Sequence, residues 1–320
     1  MIPIYPAVPK SALNQRIITL IPFLECNIDC GFCYYRDKPR KNLSIKEILH
    51  AQIENAKRII PQLTTKEITL EMHGGELFSD NIKDSDFNLY LPYLKEIQSI
   101  IKQAGKTHTV SITSNMTFKS YDRFAQFLKS IDTLESVYAS FDIVERFKNK
   151  THFNLYKRNI DKLIADGINV CLPMVASSKC RDAILSKAGF YNEFVSMYNS
   201  GYKIYLEDYH ADVFDAEYSL TQKELTDFLL YIKEHFPNIT LPLRNETNHV
   251  NLECSSAIEL VYDTVEYSCC INQEESALRA KRLNCLSCEY VQSCKIPCFH
   301  SLPDAVETCE FKALHASFDL

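Results

Sequence analysis

Residues 16–34, RIITLIPFLECNIDCGFCY, join an apolar, β-branched run to three closely spaced cysteines. The run Arg16–Leu24 predicts a strand, because Ile and Thr are enriched in strands. Directly after it, Cys26, Cys30 and Cys33 form a C-x3-C-x2-C loop. Such spacing is typical of iron–sulfur ligation, whereas zinc sites usually have paired C-x2-C units and four ligands. The segment therefore predicts a strand that leads into a metal-cluster loop with one coordination position open. A zinc knuckle or coincidentally placed buried thiols are the alternative.

Strand-like and helix-like segments continue to alternate over the first two-thirds of the chain. Ser44 with Glu47, and Thr221 with Glu224, are capping boxes that begin the first and the last predicted helix. Six strand–helix units in series predict a parallel sheet with helices outside, because parallel strands need right-handed crossovers. Six units are too few for a closed eight-stranded barrel, so we expect an α/β fold, a partial (β/α)6 TIM-like barrel. The predicted strands are Arg16–Leu24, Glu67–His73, His108–Ser114, Ser136–Asp142, Ile168–Ala176 and Lys203–Asp208, and the helices lie near 44–60, 87–104, 118–130, 152–166, 182–200 and 221–236.

The alternation of strand-like and helix-like segments ends near Pro237. Residues 254–309 carry eight of the thirteen cysteines with little helical periodicity. This composition predicts a small cysteine-rich C-terminal iron–sulfur domain that is held by metal rather than by an apolar core. The expected organisation is an N-terminal arm at 1–15, the barrel at 16–240, the cysteine-rich domain at 241–310 and a C-terminal tail at 311–320.

The overall composition narrows the class of protein. The net charge is −6 without a long basic run, which argues against nucleic acid as a partner. No apolar stretch approaches the roughly 18 residues of a membrane span, and residues 1–10 lack a secretion-signal pattern. We therefore expect a cytoplasmic protein with no membrane partner, whose thiols stay reduced and are available as metal ligands.

Glycine and polar residues follow three further predicted strands, at the edge where barrels of this kind carry their functional loops. Strand two ends in Met72-His73-Gly74-Gly75-Glu76, where two glycines allow a close backbone approach and a carboxylate can pair with a cation. Strand three ends in Thr113-Ser114-Asn115, and strand four in Ala139-Ser140-Phe141-Asp142. Each motif alone also fits an ordinary turn or a polar strand end.

Taken in strand order, the cysteine loop and these motifs resemble those of the radical S-adenosylmethionine (SAM) superfamily. The resemblance implies a [4Fe–4S] cluster on Cys26, Cys30 and Cys33, whose open iron chelates SAM. Asn115 lies in a Thr-Ser-Asn segment that lacks the family's glycine. Where relatives often carry an arginine for the SAM carboxylate, this chain has Lys150-Thr151-His152. The SAM-binding residues that the resemblance implies are Phe32 near the adenine, Gly74, Gly75 and Glu76 at the ammonium group, Asn115, Ser140 and Asp142.

The C-terminal cysteines are similar to the seven-cysteine SPASM extension of peptide-modifying members of that superfamily. Thr264 stands where that pattern has glycine, so the hairpin turn there is expected to differ. The resemblance implies two auxiliary [4Fe–4S] clusters, and a zinc ribbon is the alternative. The second cluster lacks an evident fourth ligand, for which His249 beside Asn248 is a candidate. The implied ligands are Cys285, Cys288, Cys294 and Cys309 for one cluster, and Cys254, Cys269 and Cys298 for the other.

Four other side chains invite a chemical or a structural interpretation. Cys270 directly follows Cys269, where sulfatase-maturing relatives have an aspartate base. It either donates a hydrogen atom to a substrate radical or is an inert thiol. Cys171 is interpreted as a packed thiol in strand five and Cys180 as a surface thiol in the next loop, while His73 is interpreted as a core histidine.

The resemblance implies that a radical formed from SAM abstracts hydrogen from a peptide, leading to oxidation, a cross-link or epimerisation. An electron donor such as flavodoxin or ferredoxin is implied. Because the cysteine loop begins at Cys26, we also expect a separate leader-peptide recognition protein or a peptide that needs none. The alternatives are dehydrogenation of a small molecule, sulfatase-maturase-like oxidation of a protein side chain, and a non-catalytic iron–sulfur or zinc scaffold.

Overall fold

A computed structural model of the chain describes residues 16–33, 35, 41–208, 216–241, 257–267 and 309. One eight-stranded sheet, in the order β6-β5-β4-β3-β2-β1-β7-β8, organises these residues. Every neighbouring pair is parallel except β7 with β8, which is antiparallel. The strands are β1 (Ile17–Ile21), β2 (Glu67–Met72), β3 (Thr107–Ser114), β4 (Leu134–Ala139), β5 (Val170–Ala176), β6 (Ile204–Asp208), β7 (Ala257–Val261) and β8 (Thr264–Tyr267).

Helices connect the parallel strands, so the predicted α/β architecture is confirmed and the barrel is open. Capping boxes at Ser44 and Thr221 begin the first and the last helix, as the sequence predicted. No helix among the described residues is long and apolar enough to cross a membrane. The helices are α1 (Ile45–Ile59), α2 (Asp84–Phe87), α3 (Tyr90–Gln103), α4 (Tyr121–Lys129), α5 (Lys150–Ala165), α6 (Ser178–Ser186), α7 (Tyr191–Asn199) and α8 (Gln222–His235).

The two faces of the sheet differ in polarity. On β2, Ile68, Leu70 and Met72 are buried in the core, whereas Thr69 and Glu71 on the opposite face are half-buried. This alternation follows from the two-residue period of a strand. The apolar face packs in the same core as the helices.

The single helix predicted near 182–200 is wrong, because two helices, α6 and α7, occupy this region. The chain turns between them, with Lys187 at φ 57° and Gly189 at φ 61°. A Cβ atom on Gly189 would lie 2.4 Å from the carbonyl oxygen of Ile143, so the close backbone approach excludes a side chain there. Cys180 lies in α6 and is fully buried, so its interpretation as a surface thiol in a loop is also wrong.

Strands β1 and β4 end earlier than predicted. Strand β1 stops at Ile21, just before Pro22, which has no N–H to donate to a neighbouring strand. Strand β4 ends at Ala139, so Ser140 and Asp142 lie beyond it.

Two strands beyond the six predicted units join the sheet. Strand β7 pairs in parallel with β1, and Ile258 and Leu260 are buried in the common core. In the β7–β8 hairpin the positive φ of 51° belongs to Tyr262. Thr264 begins β8, and its hydroxyl donates to the carbonyl of Val261 at 2.7 Å. This is how the hairpin accommodates threonine where the resembling pattern has glycine.

Gln52 of α1 connects the ends of two adjacent strands to the helical layer. Its fully buried amide donates to the carbonyl oxygens of Ile21 and Leu260, each at 2.8 Å. Its own carbonyl accepts from the hydroxyl of Tyr93 at 2.5 Å. Because buried polar groups must be paired, this side chain helps to hold β7 against β1.

We expect Gln52→Leu to lower the free energy of unfolding by about 2–4 kcal/mol, because it leaves buried polar groups without partners. Chemical denaturation measures the change. The matched control is Gln103→Leu on an exposed position of α3, which should change stability little. Equal effects of the two substitutions would contradict a buried connection between α1, β1 and β7.

Candidate functional site

A cavity of about 320 Å³ lies at the carboxyl ends of the parallel strands. This is the edge at which parallel α/β barrels place their functional loops. The cavity brings together the cysteine loop and parts of all three further motifs that the sequence singled out. Its lining includes Cys26, Ile28, Cys30, Phe32, Cys33, Tyr35, His73, Gly74, Gly75, Thr113, Ser114, Asn115, Ser140, Arg146, Pro173, Val175 and Glu207.

The loop after β2 is joined to the segment that leads into the cysteine loop. The amide of Gly75 donates to the carbonyl of Phe23 at 3.0 Å, and the amide of Glu76 donates to that of Glu25 at 2.9 Å. A Cβ atom on Gly75 would lie 1.9 Å from the Glu25 carbonyl oxygen. Glycine is therefore required here by the close approach of the two backbones, which places the Gly-Gly segment beside Cys26.

The three cysteines of the loop differ in their surroundings. Cys26 is exposed, Cys33 is half-buried and Cys30 is buried. Burial raises the pKa of Cys30 to about 11. A bound metal centre would stabilise the thiolate form of such side chains.

No group of three His, Cys, Asp or Glu side chains within the described ranges is arranged to hold a single metal ion. The ligands of a zinc ion must converge on one point at about 2.0–2.3 Å. In a [4Fe–4S] cluster each thiolate binds a different iron, so the three sulfurs need only surround a common volume. The cysteine loop on the cavity wall has the donor chemistry and the placement for such a cluster.

Asn115 connects the end of β3 to the cysteine loop. Its side-chain Nδ2 donates to Oδ1 of Asn27 at 2.7 Å and lies 3.5 Å from the sulfur of Cys26. Its side-chain oxygen, Oδ1, accepts from the backbone amide of Thr117 at 2.9 Å. The next residue, Met116, has a positive φ of 57°, the conformation that glycine adopts most easily. The backbone thus keeps a glycine-like turn in a segment that lacks the glycine.

Glu76 is fully buried and does not line the cavity. Its carboxylate accepts hydrogen bonds from the backbone amide of Asn115 at 2.6 Å, the backbone amide of Phe78 at 3.1 Å and the hydroxyl of Ser114 at 3.0 Å. Burial raises the pKa of Glu76 to about 7 despite these hydrogen bonds. The observed role of this side chain is to connect the loops after β2 and β3, and contact with SAM stays a prediction.

Asp142 is also buried away from the cavity, whereas Ser140 lines it. The Asp142 carboxylate accepts from the amides of Val144 at 2.8 Å and Glu145 at 2.7 Å. These two hydrogen bonds shape the loop between β4 and α5 and set the direction in which the chain presents the following residue, Arg146. A direct contact of Asp142 or Ser140 with a cofactor stays a prediction.

Arg146 is a cationic side chain of the cavity that the sequence reasoning missed. Its guanidinium carbon lies 5.7 Å from the ring centre of Phe32, and its buried Nε has no hydrogen-bond partner among the described residues. The arginine of the resembling family was expected at Lys150–His152, none of which lines the cavity. The available signal was the distance from the strand-four motif, since Arg146 comes four residues after Asp142.

Two further polar side chains in the cavity were not assigned by the sequence as ligands. Glu207, near the end of β6, lines the cavity. His73 also lines the cavity, and its Nδ1 lies 2.6 Å from the amide of Gly74. The prediction of a core histidine is therefore too simple, because this ring is partly exposed to the cavity.

Most of the predicted auxiliary ligands lie outside the described residues, so their arrangement stays a prediction. Cys309 is described, and it packs half-buried against the main core. The predicted site residues outside the described ranges are Cys254, Cys269, Cys270, Cys285, Cys288, Cys294, Cys298 and His249.

We expect the stability of the protein to depend on pH through Glu76. Its pKa is raised from 4.5 to about 7 in the folded state, so folding favours the protonated form. The contribution is complete below pH 4.5 and is lost as the pH rises through 7. Denaturation between these pH values should show a smaller loss of stability with rising pH for Glu76→Gln than for the unsubstituted chain.

The control for this measurement is Glu47→Gln in the exposed capping box of α1. Hydrogen bonds from Ser44 lower the pKa of Glu47 below 4.5, so it titrates outside the interval. A Glu76→Gln profile parallel to that of the unsubstituted chain would contradict the assignment.

The fold of this chain is similar to that of several solved structures. No protein-family model and no curated protein sequence matches the chain. Histidine-tagged anSMEcpe with bound AdoMet (SAM) superposes with a TM-score of 0.60 at 15% identity, covering 95% of this chain and 92% of that one. Native anSMEcpe with bound AdoMet and the Cp18Cys peptide superposes with a TM-score of 0.57 at 14% sequence identity, and the match covers 95% of this chain and 96% of that one.

Streptococcus suis SuiB bound to S-adenosylmethionine gives a TM-score of 0.52 at 12% identity, covering 90% of this chain and 74% of that one. At these identities the likeness establishes the fold. The chain therefore has the partial-barrel fold of these structures, each of which was solved with bound SAM.

Proposed function

We propose that the protein is a radical SAM enzyme that abstracts hydrogen from a peptide substrate. The single observation that carries the proposal is the convergence of Cys26, Cys30 and Cys33 with Gly74–Gly75, Ser140 and Arg146 around one cavity. These residues come from separate strand ends, so a scaffold function alone does not account for their meeting.

The cysteine loop would hold a [4Fe–4S] cluster through its three thiolates. When bound, the cluster supplies the single electron that splits SAM into methionine and an adenosyl radical able to take a hydrogen atom from the substrate. The protein binds and orients the reactants and excludes water from them. Asn115 contributes by donating toward the sulfur of Cys26 and by connecting that part of the loop to β3.

The remaining groups of the cavity match the chemistry of SAM. Phe32 offers an aromatic face for the adenine, and the Gly74–Gly75 backbone lies beside Cys26, where the amino-acid end of SAM would bind. Arg146 provides a guanidinium suited to a carboxylate, since its buried Nε has no partner in the described part of the chain. Ser140 can add a hydrogen bond, while Glu76 and Asp142 hold the loops that carry these groups.

The peptide class of substrate is supported by the structural likeness to anSMEcpe, which was solved with a bound peptide. We propose oxidation, a cross-link or epimerisation of such a peptide in the cytoplasm. Two auxiliary [4Fe–4S] clusters on the C-terminal cysteines, an electron donor such as flavodoxin or ferredoxin, and a separate leader-peptide recognition protein belong to the same proposal. Cys270 is a candidate hydrogen-atom donor.

The test is anaerobic reconstitution with iron and sulfide followed by reduction in the presence of SAM. We expect about 12 irons per chain if all three clusters form, and release of methionine and 5′-deoxyadenosine. Replacing Cys26, Cys30 and Cys33 together by Ala should remove about four irons and abolish methionine release.

The matched control is Cys171→Ala in β5, a half-buried cysteine outside the proposed clusters, which should leave both readouts unchanged. Zinc in the purified protein with no SAM cleavage would select the scaffold alternative. Methionine release from the triple variant at the normal rate would refute the proposal.

We expect Arg146→Met to weaken SAM binding about 10- to 100-fold, the effect of losing a charge-assisted hydrogen bond to a carboxylate. Equilibrium dialysis of the reconstituted protein with labelled SAM measures it. Arg158→Met, on α5 and outside the cavity lining, is the control. Unchanged affinity in Arg146→Met would remove this side chain from the SAM site.

A further inference from the structure

The amide of Gly31, between the second and third cysteines of the loop, is bound by a carboxylate from another part of the barrel. Its nitrogen donates to Oε2 of Glu145 at 2.8 Å. Glu145 lies in the loop between β4 and α5, 114 residues away in sequence. The acceptor of this N–H therefore lies outside the cysteine loop.

The second carboxylate oxygen of Glu145 is held by two donors. The hydroxyl of Tyr218 lies 2.6 Å from Oε1, and the ammonium of Lys179 lies 2.9 Å from it. Lys179 also donates to the Tyr218 hydroxyl at 2.8 Å. The group comprises Glu145, Lys179 of α6 and Tyr218 of the 3₁₀ turn Ala216–Tyr218, and we call it the loop clamp. Both oxygens of the carboxylate therefore have fixed partners.

The backbone of the cysteine loop lies in close contact with the loop clamp at Gly31. A Cβ atom on Gly31 would lie 1.9 Å from the Tyr218 hydroxyl and 2.6 Å from Glu145 Oε2. The ring of Phe32 meets that of Tyr218 edge to face, with 6.2 Å between their centres. The loop clamp thus fixes the two residues that separate Cys30 from Cys33.

The charge of Glu145 is retained in this setting. Burial favours the neutral acid, but hydrogen bonds from Tyr218, Lys179 and Gly31 overcome it and lower the pKa of Glu145. Glu145 and Lys179 are both mostly shielded, with exposed side-chain fractions of 21% and 32%. Lys179 divides its charge between Glu145 and Glu217, each at 2.9 Å. The Gly31 amide therefore meets an ionised carboxylate, a stronger acceptor than sulfur.

We propose that Glu145 is a positioning residue of the cluster loop, which takes the Gly31 N–H away from the cluster sulfurs and thereby keeps the reduction potential of the cluster low. Hydrogen bonds to cluster sulfurs are among the factors that set such potentials, since they stabilise the extra negative charge of the reduced state. A low potential favours electron transfer to SAM. The inference rests on the proposed function, because it presupposes a cluster on the three cysteines.

The experiment is a redox titration of the reconstituted protein followed by electron paramagnetic resonance (EPR), with iron content as a second readout. Glu145→Gln keeps an acceptor for Gly31 and removes the charge, while Glu145→Ala removes both. We expect the midpoint potential to become more positive in both variants, and more so in Glu145→Ala. The rate of methionine release should fall in the same order, by about tenfold in Glu145→Ala, the loss expected for one hydrogen bond.

Tyr218→Phe removes one donor to the carboxylate and should shift the potential in the same direction by a smaller amount. Glu193→Gln is the control, because Glu193 of α7 forms an ion pair with Lys150 outside the cavity. It should leave the potential, the EPR spectrum and the iron content unchanged.

The outcomes separate this inference from the proposed function. An unsubstituted protein with no SAM-dependent change in its cluster spectrum would defeat the proposed function itself. An active unsubstituted protein whose Glu145→Ala variant keeps its full iron content, potential and spectrum would overturn the inference alone. Loss of the loop cluster from folded Glu145→Ala supports positioning. If that variant does not fold, the potentials of Glu145→Gln and Tyr218→Phe decide, and unchanged values overturn the inference.

Discussion

The site depends on two backbone hydrogen bonds formed just beyond the sheet. Gly75 and Glu76 donate to the carbonyls of Phe23 and Glu25, which extends the pairing of β2 with β1 past the last residues of the strands. Only a residue without a Cβ atom allows this approach at Gly75. Because Cys26 follows Glu25 directly, the same contact determines where the cysteine loop begins. The other loops are then placed relative to this joined pair.

Three carboxyl side chains hold the loops of the site in place. Glu76 binds the backbone at the end of β3, Asp142 binds its own loop after β4, and Glu145 binds the cysteine loop. In each case carboxyl oxygens accept hydrogen bonds from backbone amides that would otherwise lack a partner. Loops held in this way can present Arg146 and the cysteines in defined positions without regular secondary structure. In the described part of the site, Glu76 and Asp142 hold loops, whereas the cysteines and Arg146 line the cavity.

The strand-end motifs were accessible from the sequence because they are local. A C-x3-C-x2-C loop after an apolar strand, and a Gly-Gly-Glu segment after the next, are read from residues a few positions apart. The capping boxes at Ser44 and Thr221 were local signals of the same kind. The break between α6 and α7 was missed, because apolar spacing persists on both sides of a turn that depends on the backbone of Ile143. The burial of Cys180 was missed because the helix was predicted to begin at 182, which left this residue in a loop, whereas α6 begins at Ser178.

The sequence by itself determined the parallel α/β class, the order of the strand–helix units and the place of the cysteine loop directly after the first strand, because all three follow from short-range patterns of polarity and residue type. Tertiary structure alone decided that Arg146, and not Lys150–His152, faces the cavity, and that Glu76 and Asp142 are buried supports. It also decided that Glu145 reaches Gly31 across 114 residues of chain. These contacts depend on the directions in which loops leave neighbouring strands, and no local pattern encodes such a direction.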